Sequence, residues 1–330
     1  MLNKDLKLNE KLFDADVEQK ATRDGFGTGI IALGERDPNV VVLTADLSES
    51  TRADGFEKKF PERFFDVGVA EQNMATIAAG MGVMGKTVFI SSYATFNPGR
   101  NWEQIRTTIV YNESNVKVAG HHSGVMTGPD GATHQATEDI ASVRAWPGIE
   151  IGIGCDAIES RKVTEYVGSH YGPAYLRYSR DKTPLITTEE TPFDPKKIQT
   201  FWVNDNPQAT IFATGYMLFY ALLAAKELEE EGIQVLVANV AMIKPLDTET
   251  VVDLARKTGA VVTVEDHQIM GGLGSVIAET LAKNHPTPQE FVGLQDTFAE
   301  SGTPKELLAK YHMDAPAIKE AVKKVISRKS

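Results

Sequence analysis

The chain has 330 residues, 42% of them hydrophobic and 24% charged, with a formal net charge of −11. That length accommodates two domains with proper cores, and the acidic balance argues against a nucleic-acid or anionic-membrane surface. The single cysteine, Cys155, rules out an internal disulfide; the absence of an ~18-residue apolar run and of a signal-peptide core at the polar amino terminus points to a cytoplasmic location.

Residues 1–20 carry Leu8, Leu12, Phe13 and Val17, enough for a short docking helix. The pattern predicts a helix over 21–36 and a buried strand over 39–44, ending at Ala45-Asp46-Leu47-Ser48. Residues 64–69 read as a second buried strand. Met74, Ile77, Ala78 and Met81 then recur at helical spacing, and Gly80, Gly82 and Gly85 close that helix. A strand over 87–92 follows, ending in Tyr93 and Phe96. The alternation continues with a helix over 102–110, a strand over 116–120 and a glycine-rich loop over 121–136. A helix over 137–146, a strand over 149–153, a helix over 157–170 and a strand over 174–178 complete the unit. From 181 to 208 four prolines and scattered charge mark a connector. A second alternation begins at Thr210. The expected fold is α/β with two doubly wound domains, residues 1–185 and 209–330, and a linker over 186–208.

Between Asp66 and Lys86 the one charged residue is Glu71. It falls in the first turn of a largely buried helix, at the carboxyl end of a parallel strand, where open α/β sheets bind ligands. A carboxylate there complements the helix dipole. Burial among neutral side chains also favours the protonated acid, which can donate a hydrogen bond to a ring nitrogen. Tyr93 and Phe96, one strand away, offer faces for a flat heterocycle. The loop 121–135 concentrates three of the seven histidines beside Asp130, the mark of a site rather than of structure. Zinc-type spacing is absent, so no metal ligand is assigned. Gly271-Gly272-Leu273-Gly274 before a helix reads as an anion-holding turn or a plain one, with Glu265 and His267 free to pair at the domain contact.

The run D-V-G-V-A-E-Q-N-M, followed by Y-A-T-F, resembles the pyrimidine-binding half of thiamine-diphosphate enzymes of the transketolase family. The resemblance implies that Glu71 bonds N1′ of the aminopyrimidine, that Tyr93 and Phe96 flank that ring, and that Asp46 lies near the thiazolium side. The run G-x-D-G-x-T-H-Q, followed by E-D-I-A-x-x-R, implies that Asp130 contacts the sugar hydroxyl next to the carbonyl. His134 then handles protons or orients the carbonyl oxygen. By the same token A-T-R, A-D-L-x-x-S and the strand-end S-R place Arg23, Ser50 and Arg180, with His122, around a sugar phosphate. Two arginines suit a dianion through bidentate charge-assisted bonds. V-E-D-H-x-x-x-G-G-L-G-S and F-x-x-S-G-x-x-x-E-L-L resemble the family's carboxyl-terminal domain.

The family holds Mg²⁺ and the diphosphate through a Gly-Asp-Gly motif and a following Asn. This sequence has Asp-Gly pairs at Asp24, Asp54 and Asp130, none preceded by Gly. The resemblance therefore implies a split enzyme: a carboxyl-terminal subunit whose amino-terminal partner supplies Mg²⁺ and the diphosphate site. It also implies a two-plus-two heterotetramer around a pair of this chain; residues 73–84, helical and almost free of charge, are the candidate surface between the two copies. The expected function is transketolase, moving a two-carbon ketol unit between a ketose phosphate and an aldose phosphate. The alternatives are a deoxyxylulose-phosphate synthase-like enzyme, an unusual-sugar-phosphate transketolase subunit, or the beta subunit of a 2-oxoacid dehydrogenase. A 2-oxoacid has no phosphate to occupy Arg23, Ser50 and Arg180.

Overall fold

Strands covered on both faces need near-continuous apolar sequence, and Val40-Val41-Val42-Leu43-Thr44 is buried at every position. A computed structural model describes residues 1–329 and places such runs at the centre of two sheets. The first domain runs β1 (Gln19–Ala21), α1 (Thr22–Arg36), β2 (Val40–Thr44), α2 (Ser48–Thr51), α3 (Asp54–Lys59), β3 (Phe64–Asp66), α4 (Glu71–Val83) and β4 (Thr87–Tyr93). It continues through α5 (Trp102–Gln104), β5 (Val116–His121), α6 (Asp139–Arg144), β6 (Glu150–Gly152), α7 (Ala157–Gly168), β7 (Ala174–Arg177) and β8 (Lys182–Pro184). The second comprises β9 (Gln199–Trp202), β10 (Ala209–Ala213), α8 (Met217–Glu230), β11 (Val235–Asn239), β12 (Met242–Lys244) and α9 (Thr248–Thr258). It ends with β13 (Val261–Gln268), α10 (Leu273–Asn284), β14 (Gln289–Leu294), α11 (Pro304–Lys310) and α12 (Ala315–Ser327).

The seven-stranded sheet has the order β12-β6-β7-β5-β4-β2-β3 and is parallel except for β12. Strand side chains alternate between faces. Val40 and Val42 meet Phe26, Ile30 and Val163 of α1 and α7. Val41 and Leu43 join Met74, Ala75 and Ala78 of α4 on the other side. The second sheet, β14-β13-β10-β11-β9, is parallel except for β9.

Several expectations need correction. Residues 1–20 form a 3₁₀ turn at Lys4–Leu6 rather than a docking helix. Lys7 takes a left-handed φ of 50°, and the Asn3 and Asn9 amides donate to Phe201 and Ile186 carbonyls, which draws the backbone away from helical pairing. Leu6, Leu8 and Leu12 are buried with Phe201, Trp202 and Met217, so this segment straps onto the second domain rather than the first. The strand over 64–69 is shorter than expected and lies at the sheet edge, leaving Phe65 and Val69 exposed. Gly80 and Gly82 lie inside α4. A Cβ on Gly82 would stand 2.3 Å from Ser114 Oγ, so this glycine serves close packing. The segment between β11 and β13 also holds α9, capped by Asp247 and Gly259.

The domains are locked by β12, which pairs with β6 across the boundary, and by a buried polar cluster. Arg177 Nε donates to Asp139 Oδ2 at 2.9 Å and its Nη2 to the Ala136 and Asp266 carbonyls. The Gly271–Gly274 turn cradles a carboxyl group from within the chain: the Leu273 and Gly274 amides donate to the Glu265 side-chain oxygens at 2.7 and 2.8 Å. A side chain at Gly272 would collide with it, since a Cβ there lies 2.0 Å from Glu265 Oε2. His267 Nδ1 stands 3.9 Å from the same oxygen but bonds the Gln268 carbonyl at 2.6 Å.

Burial pushes the Glu265 carboxyl up to about 7, against the pull of its two amide donors. The native state then holds a proton that the unfolded chain releases near 4.5. Stability from this group is full below that value and is lost as pH rises towards 7. Glu265→Gln carries no such proton. Its melting temperature should fall furthest below wild type near pH ~5 and least near pH ~8. A calorimetric difference that stays constant across that range contradicts the assignment.

Candidate active site

The carboxyl ends of β2, β3, β4 and β5 converge on one region. Glu71 opens α4 just past β3 and is 1% exposed. Ser92 Oγ on β4 donates to its Oε1 at 3.4 Å, and Arg100 Nη1 donates to its Oε2 at 2.9 Å. The carboxylate is therefore not isolated among neutral groups: Arg100, reaching back from the turn after β4, is its charged partner. The Glu71 carbonyl accepts from Asn101 Nδ2 at 3.1 Å, and Asn97 Nδ2 donates to the Ile90 and Ala119 carbonyls. Two buried asparagines thus fix the turn that carries Phe96 and Arg100.

Beside Glu71 stands an aromatic cluster. Tyr93 and Phe96 lie with centroids 6.0 Å apart and planes 21° from parallel. The His122 ring stacks on Tyr93 at 3.8 Å. His134 meets both Tyr93 and Phe96 edge-on, at 5.9 and 5.6 Å, and its Nδ1 lies 2.9 Å from Thr133 Oγ1. The structure thus brings Tyr93, Phe96, His122 and His134 into one ring cluster, joined to Glu71 through Arg100, whose guanidinium lies 4.5 Å from the Phe96 ring centroid. Asp46 follows β2 with an exposed side chain, and its amide is held by Asp66 Oδ1 at 3.0 Å.

The expected phosphate ligands lie around His122. Arg23, half-buried at the start of α1, donates from Nη1 to the Ser50 carbonyl at 2.6 Å; its buried Nε has no protein partner among the described residues. Contact with Ser50 is thus through the main chain. Arg180 Nη1 donates to the Thr127 carbonyl at 2.9 Å and to Asp130 Oδ1 at 3.2 Å, so two expected sugar ligands pair with each other. Burial, then the charges of Arg23, Arg180, His134 and Arg52, lowers His122 to about 3. It is neutral at ordinary pH, with one ring N–H to donate. Asp46, Arg52 and His122 all have left-handed backbone, a strain that collects at functional sites.

Two residues of this region escaped the sequence reading. Arg52, two positions after Ser50, pairs with Asp24 at 2.7 Å and crowds Arg23 and His122 with further positive charge. Arg100 is the other. Cavities of about 490, 560 and 640 Å³ lie elsewhere, against the amino-terminal strap and beneath the first sheet. Within the cluster Glu71 and His122 are buried, and Tyr93, Phe96 and His134 are partly exposed.

Residues 18–185 match the family described as "Transketolase, pyrimidine binding domain", and 201–318 match "Transketolase, C-terminal domain". The chain belongs to the transketolase family. A putative transketolase C-terminal section from Methanocaldococcus jannaschii is 41% identical over 306 residues, 92% of this chain and 95% of that one. A 6-deoxy-6-sulfo-D-fructose transketolase subunit from a Clostridium species is 36% identical, across 96% of this chain and 98% of the relative. A solved structure described as a split gene transketolase, inactive beta4 tetramer, superposes with a TM-score of 0.87 at 42% identity, covering 94% of this chain and 99% of that one. In this transketolase-family chain, the patch of Glu71, Tyr93 and Phe96 lies within the segment matched as pyrimidine-binding.

Proposed function

We propose that the chain is the carboxyl-terminal subunit of a split transketolase that works in the cytoplasm with an amino-terminal partner. The observation that carries this is the buried Glu71 carboxylate beside the Tyr93–Phe96 pair, with His122 and His134 packed on the same rings. A buried carboxyl next to aromatic faces fits an aminopyrimidine, to which it presents one hydrogen-bonding group and a stacking surface. Thiamine diphosphate, when bound, supplies the carbon centre that accepts the two-carbon unit. Glu71 holds a proton at the ring nitrogen and orients the ring. His134, edge-on to Tyr93 and Phe96, moves or holds the proton at the sugar carbonyl oxygen. Asp130 receives the neighbouring hydroxyl, and Asp46 lies toward the thiazolium end. Mg²⁺ and the diphosphate fall to the partner in this reading, since none of the Asp-Gly pairs here is preceded by Gly.

Arg23, Arg180, Ser50 and His122 hold the substrate phosphate in this reading. Crowded cations are a poor arrangement until an anion arrives, and Arg23 is already below its usual basicity through burial and the neighbouring Arg52 charge. Arg23→Ala and Arg180→Ala should therefore raise KM for phosphorylated sugars by about 30-fold or more, from the ~2–5 kcal/mol of a desolvated charged contact. Glycolaldehyde, which has no phosphate, should be little affected. Equal changes for both acceptors would show that the arginines are structural.

The relatives whose own lengths this chain nearly spans include a C-terminal section and a split-gene structure, which supports the subunit reading. The exposed Phe65, Val69, Val83 and Met84 around β3 and α4 support self-association inside a two-plus-two assembly. The Clostridium relative favours a second reading, a transketolase subunit for an unusual sugar. A donor panel assayed with the partner subunit separates them: preference for xylulose 5-phosphate supports the first, preference for a sulfonated or branched sugar the second.

A further inference from the structure

A carboxylate as deeply buried as Glu71 needs a partner to offset its desolvation. Arg100 provides it in an unusual position. Its Nη1 donates to Glu71 Oε2 at 2.9 Å while its guanidinium carbon lies 4.5 Å from the Phe96 ring centroid. A guanidinium is planar and delocalised, stacks on aromatic faces and donates hydrogen bonds within its own plane. It thus makes with Phe96 and Glu71 the two contacts that a flat aminoheterocycle makes with an aromatic face and a carboxyl group.

The backbone around Arg100 is fixed and its side chain is not. Its amide donates to the Phe96 carbonyl at 3.0 Å, and Asn97 and Asn101 anchor the turn on either side. The Arg100 side chain itself is 47% exposed, against 1% for Glu71. It can therefore withdraw into solvent without disturbing the turn, whereas Glu71 cannot follow it.

We infer that Arg100 is a built-in competitor for the pyrimidine site: the guanidinium and an aminopyrimidine ring are alternative occupants of the place between Glu71 and Phe96. The inference rests on the reading of Glu71 and Phe96 given above. Its consequence is a reduced apparent affinity, since the ring binds only the fraction of chains whose Arg100 has withdrawn. Its benefit is a satisfied Glu71 whenever the ring is elsewhere.

The test uses the full chain without its partner, and as probe the aminopyrimidine alcohol that forms the ring half of thiamine. Wild type, Arg100→Met, Arg100→Lys and Glu71→Gln are titrated with it by ligand-observed NMR and melted without it. If Arg100 occupies the site about nine-tenths of the time, Arg100→Met binds the probe about tenfold tighter. Its ligand-free melting temperature falls, because Glu71 has lost its partner. Arg100→Lys, which keeps the charge and loses the planar stack, shows the same two changes to a smaller degree and covers the case in which the Met variant does not fold. Equal binding, weaker binding in both Arg100 variants, or none to any chain overturns the inference. The double variant Arg100→Met/Glu71→Gln, in which no competitor is left, is titrated as well: a probe that binds it as tightly as Arg100→Met fails the reading beneath the inference instead, because the ring then does not use Glu71.

Discussion

Glu71→Gln should lower turnover by about 10²–10⁴-fold in the reconstituted enzyme, the range of general acid–base contributions, with the far-ultraviolet circular dichroism unchanged. The amide fills the space of the carboxyl at the start of α4, and Ser92 Oγ can still donate to its oxygen. It cannot hold an exchangeable acid proton at a ring nitrogen. The fold survives because α4 is fixed by Met74, Ala75 and Ala78 against β4, and by Asn101 on the Glu71 carbonyl, none of which uses the carboxylate. Arg100, released from its ion pair, is half in solvent already and needs no new partner. Steady-state assay with the partner subunit and saturating cofactor checks this. Turnover within a few-fold of wild type would remove Glu71 from the chemistry.

Arg177→Met should be the most damaging single change to stability, at about 3–5 kcal/mol, because it removes one member of a buried ion pair. Asp139 shows what is at stake. Burial alone would raise its carboxyl, yet Arg177, His267 and the hydrogen bonds from Arg177 and Tyr175 hold it below the ordinary value. Without the guanidinium, Asp139 keeps only the Tyr175 hydroxyl, at 2.5 Å. The Ala136 and Asp266 carbonyls lose their donor as well. Because Asp266 also receives the Val125 amide and the Tyr216 hydroxyl, the damage spans both domains. Urea unfolding of the two chains gives the difference; a loss below ~1 kcal/mol, the size of an exposed pair, would contradict the account.

Glu71 was legible because a lone charge in an apolar stretch has few structural uses, and β4 with Tyr93 follows at a distance set by one helix. Arg100 was not, because an arginine in Asn97-Pro98-Gly99-Arg100 has the texture of a surface turn. Its role depends on that turn folding back 29 residues onto the start of α4. The same limit applies to β12. Nothing in Met242-Ile243-Lys244 says that this strand joins the edge of the other domain's sheet, since an edge pairing is made by backbone groups every residue carries. The amino-terminal strap misled for a different reason. Leu8 and Leu12 do carry a helical interval, but the Asn3 and Asn9 side chains donate to the Thr200 and Leu185 carbonyls and Lys7 breaks the turn. Helix α9 could have been found, since Asp247 and Gly259 are its caps and both are plain in the sequence. The Gly271–Gly274 run was open between a plain turn and an anion-holding one, because the group its amides meet, the Glu265 carboxyl, comes from the preceding strand.

The central claim is that this chain carries the pyrimidine-end half of a thiamine active site and is inactive until joined to the half that holds Mg²⁺ and the diphosphate. The most direct measurement is transketolase turnover of xylulose 5-phosphate with ribose 5-phosphate, with thiamine diphosphate and Mg²⁺ present. It is made on this chain alone, on the amino-terminal partner alone and on the two mixed, with light scattering of each sample. The account predicts activity in the mixture only, from a species of two copies of each chain. Full activity from this chain alone, or tight cofactor binding by it without the partner, would contradict it.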